Sequence, residues 1–327
     1  MRKLAWGVAL PTVILAGFVG LLQLLPSPAS PEALADAEAR MLSVVKSPLR
    51  HQMVQAGSYQ LHTVIIGDGS KPPLVMLHGH GGGLAVFAQN FDALAEGYTI
   101  YAVELLGWGR SDRPVFEGQT GAEAQAWWVE SLEAWRQEME LDQFTLLGHS
   151  MGGFVAGSYA LAYPEHVAHL ILADPGGMSR DVHPKNGIYY NLPPQRIVRL
   201  AGPLGPALVS FGREMEVERS PYAEGTLTDY YYQISAAPAS GEIAFRKLLG
   251  VTEWALPLLA EVEALPMPVT LIWGEGDELV SPENGVRAKE LIRTSELIII
   301  PDAAHSPYSE TPQAFHDAIL NSPFRIR

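Results

Sequence analysis

Residues 146–154 read "LLGHSMGGF" and set Ser150 inside the pattern Gly148-x-Ser150-x-Gly152. The run "FTLLGHS" (144–150) is apolar enough for a buried strand, and "FVAGSYALAYPE" (154–165) has the composition of a helix. A serine held at a sharp strand-to-helix turn needs glycine on both sides, because a side chain there would collide with the neighbouring strand or helix. Gly153, Ala156 and Gly157 extend this small surface. The pentapeptide alone also fits a glycine-rich turn with an incidental serine, so the rest of the chain has to supply the serine's partners.

Around this turn the chain alternates strand-like and helix-like runs, the pattern of a mostly parallel sheet covered by helices. An antiparallel pair is expected near 51–66, turning at Gly57-Ser58. It is followed by "PLVMLHG" (73–79), "YTIYAVEL" (98–105), "FTLLGHS", "HLILADP" (169–175), "VTLIWGE" (269–275) and "LIIIPDA" (297–303). These near-continuous apolar runs suit strands buried on both faces. Residues 120–140 are expected to be helical, with Thr120 and Glu123 as a capping box and Trp128, Leu132, Trp135 and Met139 on one packed stripe. The alternation breaks from about 178 to 265, which reads as a helical cap inserted after the sixth strand.

A serine hydroxyl is a weak nucleophile until a base takes its proton, and that base needs a carboxylate to fix its tautomer. His305 follows the last strand in "IIIPDAAHSPYSE", and Asp277 follows the preceding one in "IWGEGDELV". The resulting order Ser, Asp, His is the one expected for a serine set at a strand-to-helix turn. Asp174 and Glu275 are the reserve acids. The glycine-rich "HGHGGG" (78–83) follows the first long parallel strand. The backbone N–H groups of His80 and Met151 are therefore the expected oxyanion donors. His78 and His80 lack the companion ligands a metal would need, and no cofactor is called for. His149, His166, His169, His183 and His316 read as packing or surface groups.

The chain has 22 basic and 36 acidic residues, a formal charge of −14, which would repel a nucleic-acid backbone. With no cysteine there are no disulfides, thiolate nucleophiles or cysteine metal sites. At the N-terminus Arg2 and Lys3 precede an uncharged stretch, residues 4–25, long enough to span a bilayer. Residues 1–25 are accordingly expected to be a membrane anchor with the main domain on the non-cytoplasmic side. Cleavage near Ser27-Pro28-Ala29 would instead make them a signal peptide and the protein secreted or periplasmic. Residues 26–36 read as a Pro/Ser-rich linker, and 37–327 as the main domain.

With these residues placed, the chain resembles the α/β-hydrolases, and within them the subfamily of α/β-hydrolase domain-containing proteins four and five. The likeness is carried by "AEARML", "LVMLHGHGGG", "ELLGWGRSDRP", "WWVESLEAWR", "LLGHSMGGF" and "HLILADPGG", then through the cap by "RLAGPLGPALV" and "SGEIAF", covering roughly 37–320. It implies lipid chemistry: members act on N-acyl phospholipids and lysophospholipids, while one branch has lost the serine and serves as a lipase co-activator. Ser150 sorts this chain with the enzymes. Two departures stand out. The subfamily's histidine is followed by four residues and an aspartate, a motif linked to acyl transfer, whereas "HSPYSE" ends in Glu310; and the subfamily's acid falls near Val280, slightly after Asp277.

The sequence thus points to a serine esterase or lipase acting on an acyl lipid or other small-molecule ester. Phe211, Tyr230, Tyr231 and Trp254 are expected to line an apolar roof for the acyl chain. Acyl transfer, short-ester or aminopeptidase activity, and non-catalytic lipid binding are the alternatives.

Overall fold

The computed structural model describes residues 29–179, 193–213, 216, 220–249 and 254–326. Its sheet has eight strands: β1 (Leu49–Ala56), β2 (Tyr59–Ile66), β3 (Pro73–Leu77), β4 (Thr99–Val103), β5 (Phe144–His149), β6 (Val167–Ala173), β7 (Val269–Gly274) and β8 (Ser295–Ile300). They lie in the order β1-β2-β4-β3-β5-β6-β7-β8. β1–β2 and β2–β4 pair antiparallel and every other neighbour is parallel, so the expected α/β class and mostly parallel sheet are observed. Every residue of β5 and β7 is buried, as their unbroken apolar runs require when helices cover both faces.

The helices are α1 (Pro31–Leu42), α2 (Ala88–Ala95), α3 (Gly121–Glu138), α4 (Met151–Ala162), α5 (Pro194–Ala201), α6 (Gly205–Gly212), α7 (Thr226–Ala236), α8 (Gly241–Leu248), α9 (Pro282–Leu291), α10 (Pro307–Glu310) and α11 (Pro312–Leu320). In α3 the Thr120–Glu123 capping box is present in both directions. Trp128 and Trp135 are fully buried, and their indole N–H groups donate to Leu106 O and Thr63 Oγ1 at 3.0 and 2.9 Å. Losing either side chain would cost roughly 3–5 kcal/mol, the usual penalty for a large core aromatic. Between β6 and β7 the described residues form α5 to α8 and short 3-10 turns, with a lone β-bridge between Leu249 and Trp254.

Two expectations at the N-terminus need correction. Residues 31–36, read as the end of a linker, are the first turns of α1: Ser30 caps Ala33 N, Pro31 suits the first helical position, and Leu34, Ala37, Met41 and Leu42 bury one stripe. α1 packs on cap helix α7. The expected N-terminal membrane span is not supported, because among the described residues no helix is long and apolar enough to cross a membrane. The longest described helix, α3, has 18 residues and carries Glu123, Glu130, Glu133, Arg136 and Glu138. The topology inferred from such a span is withdrawn with it; residues 1–25, on which it was read, lie outside the described residues.

A buried charged cluster ties α1 to the loop region of the sheet. Arg110 Nη1 donates to Glu38 Oε1 at 2.9 Å, and His62 Nδ1 lies 2.9 Å from Glu104 Oε2. Burial, then the neighbouring Glu104 charge, holds the Glu38 carboxyl well above its ordinary range. Glu104 and the Tyr230 hydroxyl fill the space a side chain at Gly83 would occupy, so this cluster buttresses the glycine-rich 78–83 loop from behind.

Candidate active site

Loops at the carboxyl ends of β5, β7 and β8 bring Ser150, Asp277 and His305 together, the end of a parallel sheet where open α/β folds place their ligands. Ser150 has φ 53° and ψ −118°, outside the ordinary helix and strand regions. Backbone bonds over-determine this strained turn: Ser150 N donates to Ala173 O at 3.0 Å, and Ser150 O accepts from Phe154 N at 3.1 Å and Gly176 N at 2.8 Å. The glycines are where they must be. A Cβ at Gly152 would lie 2.5 Å from both Leu77 O and His78 O, and one at Gly148 would strike Gly152 O.

His305 Nε2 lies 3.0 Å from Ser150 Oγ, and His305 Nδ1 lies 2.8 Å from Asp277 Oδ2. An ionised carboxylate only accepts, so Nδ1 carries the ring proton and Nε2 is left to accept from the serine hydroxyl. Asp277 Oδ1 accepts from Leu279 N at 2.8 Å and Val280 N at 3.0 Å. Val280, near which the resemblance put the acid, is therefore an amide donor to Asp277. Burial pushes the Asp277 carboxyl up, but the His305 hydrogen bond and these amides outweigh it and hold it below its ordinary value. Glu275 is exposed in the cavity wall and makes no bond to His305.

The site opens into a cavity of about 1000 Å³. His80 and Met151 line it beside Ser150. Met151 begins α4, so its amide is one of the unpaired donors of a helix N-terminus. The His80 ring stacks on Phe245 at 4.6 Å and meets Trp108 edge-on at 5.0 Å, fixing the backbone it belongs to. Burial, then the charge of Arg213, lowers the His80 imidazole to about 4, so it is neutral at pH 7. Phe211, Tyr231 and Trp254 line the cavity; Tyr230 does not. Its ring is buried and its hydroxyl accepts from Ala85 N at 3.2 Å, so it docks the cap onto the loop after β3.

A family model for the alpha/beta hydrolase fold matches residues 72–312. The chain belongs to the α/β-hydrolase family. Among relatives of this α/β-hydrolase, a probable 1-acylglycerol-3-phosphate O-acyltransferase of Oryza sativa subsp. japonica is 35% identical, aligned over 90% of this chain and 82% of that protein. A (lyso)-N-acylphosphatidylethanolamine lipase of Homo sapiens is 32% identical over 88% of this chain and 90% of that one. These place it with the domain-containing four and five subfamily that its motifs resemble. The crystal structure of a membrane phospholipase A, a bacterial virulence factor, superposes with a TM-score of 0.70 at 22% identity, covering 98% of this chain and all of that one, a likeness of fold.

Two residues beside the α/β-hydrolase site stand differently from their place in the sequence. His149, taken as a packing or surface residue, is buried behind the serine with its ring 5.0 Å from that of His305. Its position directly before Ser150 was the signal available. Asp174, a reserve acid, lies with Asp277 and His305 in a cluster whose ligand-type atoms are all within 4.8 Å of one another. Its Oδ1 accepts from Gly274 N at 3.0 Å, and its Oδ2 has no hydrogen-bond partner. Burial, then repulsion from Asp277, pushes the Asp174 carboxyl well above its ordinary range. The two carboxyls are thus driven apart, Asp174 upward and Asp277 downward. Glu38, His51 and His62 form a second such cluster, where Arg110 Nη1 already occupies Glu38 Oε1. His183 lies outside the described residues.

Proposed function

We propose that this protein is a serine hydrolase that cleaves carboxylic esters or N-acyl bonds of phospholipids, lysophospholipids or related acyl lipids. The observation that carries the reading is the continuous set Ser150–His305–Asp277, at 3.0 and 2.8 Å, in the floor of a large cavity lined by Phe211, Tyr231 and Trp254. His305 Nε2 takes the Ser150 proton as Oγ attacks the acyl carbonyl, and Asp277 stabilises the resulting imidazolium. The amides of His80 and Met151 hold the oxyanion, a contribution of about 10²–10³ in rate per donor. The tetrahedral centre collapses to an acyl-enzyme as His305 returns the proton to the leaving oxygen or nitrogen. Water, deprotonated by the same imidazole, then releases the fatty acid and restores Ser150.

The relatives named as O-acyltransferases support a second reading, in which a lysolipid hydroxyl replaces water in the last step. Glu310, standing where the subfamily has an aspartate, accepts from Ala304 N and so braces the His305 loop from the cavity side. Fatty acid release from short esters, lysophospholipids, diacyl phospholipids and N-acyl phospholipids, with and without a lysolipid acceptor, separates the readings. Ser150→Ala is the control. Undiminished turnover in that variant sinks the mechanism, and acyl transfer without net release moves the function to the second reading.

A further inference from the structure

Five of the ten exposed large apolar side chains among the described residues fall within one fifteen-residue stretch of the cap. They are Ile197, Leu200, Leu204, Leu208 and Phe211, the last 81% exposed. Spaced by three or four residues, they recur along α5, the 3-10 turn Gly202–Leu204 and α6, while Val198, Gly205 and Val209 face inward and are buried. A helix pair on an ordinary protein surface turns polar groups outward; this pair turns apolar groups both ways. The stretch 194–213 contains Arg196, Arg199 and Arg213 and no carboxylate, in a chain of net charge −14. Arg199 and Arg213 pair with Glu242 and Glu216, and Arg196 is exposed.

We infer that the outer face of α5 and α6 is a docking surface for a phospholipid bilayer. Two observations select this occupant. The ridge is continuous with the reaction cavity, since Leu208 and Phe211 belong to both. An acyl chain entering past Phe211 would pass from hydrocarbon into the cavity without crossing water, which makes the ridge useful to a lipid substrate and idle for a soluble one. Exposed Arg196, on a stretch without a carboxylate, also suits a phosphate head group on a chain that elsewhere would repel it, while Arg199 and Arg213 are engaged with Glu242 and Glu216. The choice of occupant and the direction of substrate entry rest on the lipid-hydrolase reading above, but the fluorescence test needs no turnover.

The chain has no cysteine, so a single one can report on one place in the full-length protein. In the Ser150→Ala background, Leu204→Cys carries an environment-sensitive fluorophore, and Glu290→Cys on α9 carries it as control. Vesicles of phosphatidylcholine and phosphatidylglycerol should raise the emission at position 204 about two-fold or more, with a blue shift, as expected for burial at the acyl boundary. Position 290 should not respond. Equal responses, or none, overturn the inference. An emission already blue-shifted without vesicles gives the ridge to protein, a second copy or another part of this chain, and overturns it too. Replacing Ile197, Leu200 and Leu204 together by Glu should lower turnover of vesicle-borne phospholipid about ten-fold and leave a soluble ester unaffected. Equal loss on both substrates would assign the ridge to folding. If no ester or lipid is cleaved at all, the catalytic reading fails while the fluorescence still tests the docking.

Discussion

Nε2 of His149 lies 2.7 Å from the backbone oxygen of His305. A carbonyl only accepts, so the proton of the His149 ring is on Nε2 and points at the loop that carries the base. Burial, then the proximity of His305, lowers the His149 imidazole to about 3, which keeps it a neutral donor through the working range. A buried neutral ring behind the nucleophile thus holds the backbone of the residue in front of it.

The bond gives the first prediction. His149→Leu fills similar space without the donor, and a lost positioning hydrogen bond is worth about 1 kcal/mol or somewhat more. kcat on a soluble ester should fall about ten-fold with KM little changed. Gln, which keeps an N–H donor, should recover part of the loss. A His149→Leu enzyme with wild-type kcat would reduce the residue to packing.

The two acids should separate cleanly. Asp277→Asn removes the charge that fixes the His305 tautomer and should cost about 10⁴ in kcat, the scale of such a change in serine triads. Burial and the Asp277 charge drive Asp174 toward its uncharged form, so Asp174→Asn, which removes only the ability to ionise, should stay within a few-fold of wild type. Comparable losses in the two variants would mean that Asp174, not only Asp277, works as an ionised acid.

Gly152→Ala should be among the most damaging methyl additions in the chain. The new Cβ meets two backbone oxygens of the β3 end, Leu77 O and His78 O, and neither can rotate away. Overpacking of this kind costs about 1–3 kcal/mol, and here it also moves the 78–83 loop. Urea unfolding and ester turnover should fall together, whereas Gly212→Ala, with open space around it, should change neither.

Acid sensitivity should come partly from histidines buried neutral. Burial lowers His169 from 6.5 to about 4, far from the serine, where its Nε2 lies 2.9 Å from Thr270 Oγ1. Between those values the unfolded chain binds a proton the folded one does not. Stability is therefore complete above about pH 6.5 and declines as pH falls, by about 1.4 kcal/mol per pH unit for each such histidine. His169→Gln should flatten the slope of unfolding free energy between pH 6.5 and 5 by about that amount; an unchanged slope would show that His169 is not buried neutral.

Residue order along the chain was sufficient for the strands and for the glycine-flanked turn at Ser150. Apolar runs such as 144–149 and 269–274 are buried on both sides and need no knowledge of their neighbours, and the glycines around Ser150 announce a close backbone approach locally. The three-dimensional fold was needed wherever a residue's meaning depends on what lies across a gap. The sequence ranks Asp277 ahead of Asp174 and Glu275 but cannot show their contacts; it is the fold that brings Asp277, and not Glu275, onto His305 Nδ1. Tyr230 and Tyr231 are adjacent in the chain, yet the step of about 100° between neighbours on α7 sends the first to the β3 loop and the second to the cavity. The outward apolar face of α5 and α6 is the same kind of case, because a leucine's exposure is set by packing against the core and not by its neighbours in the chain.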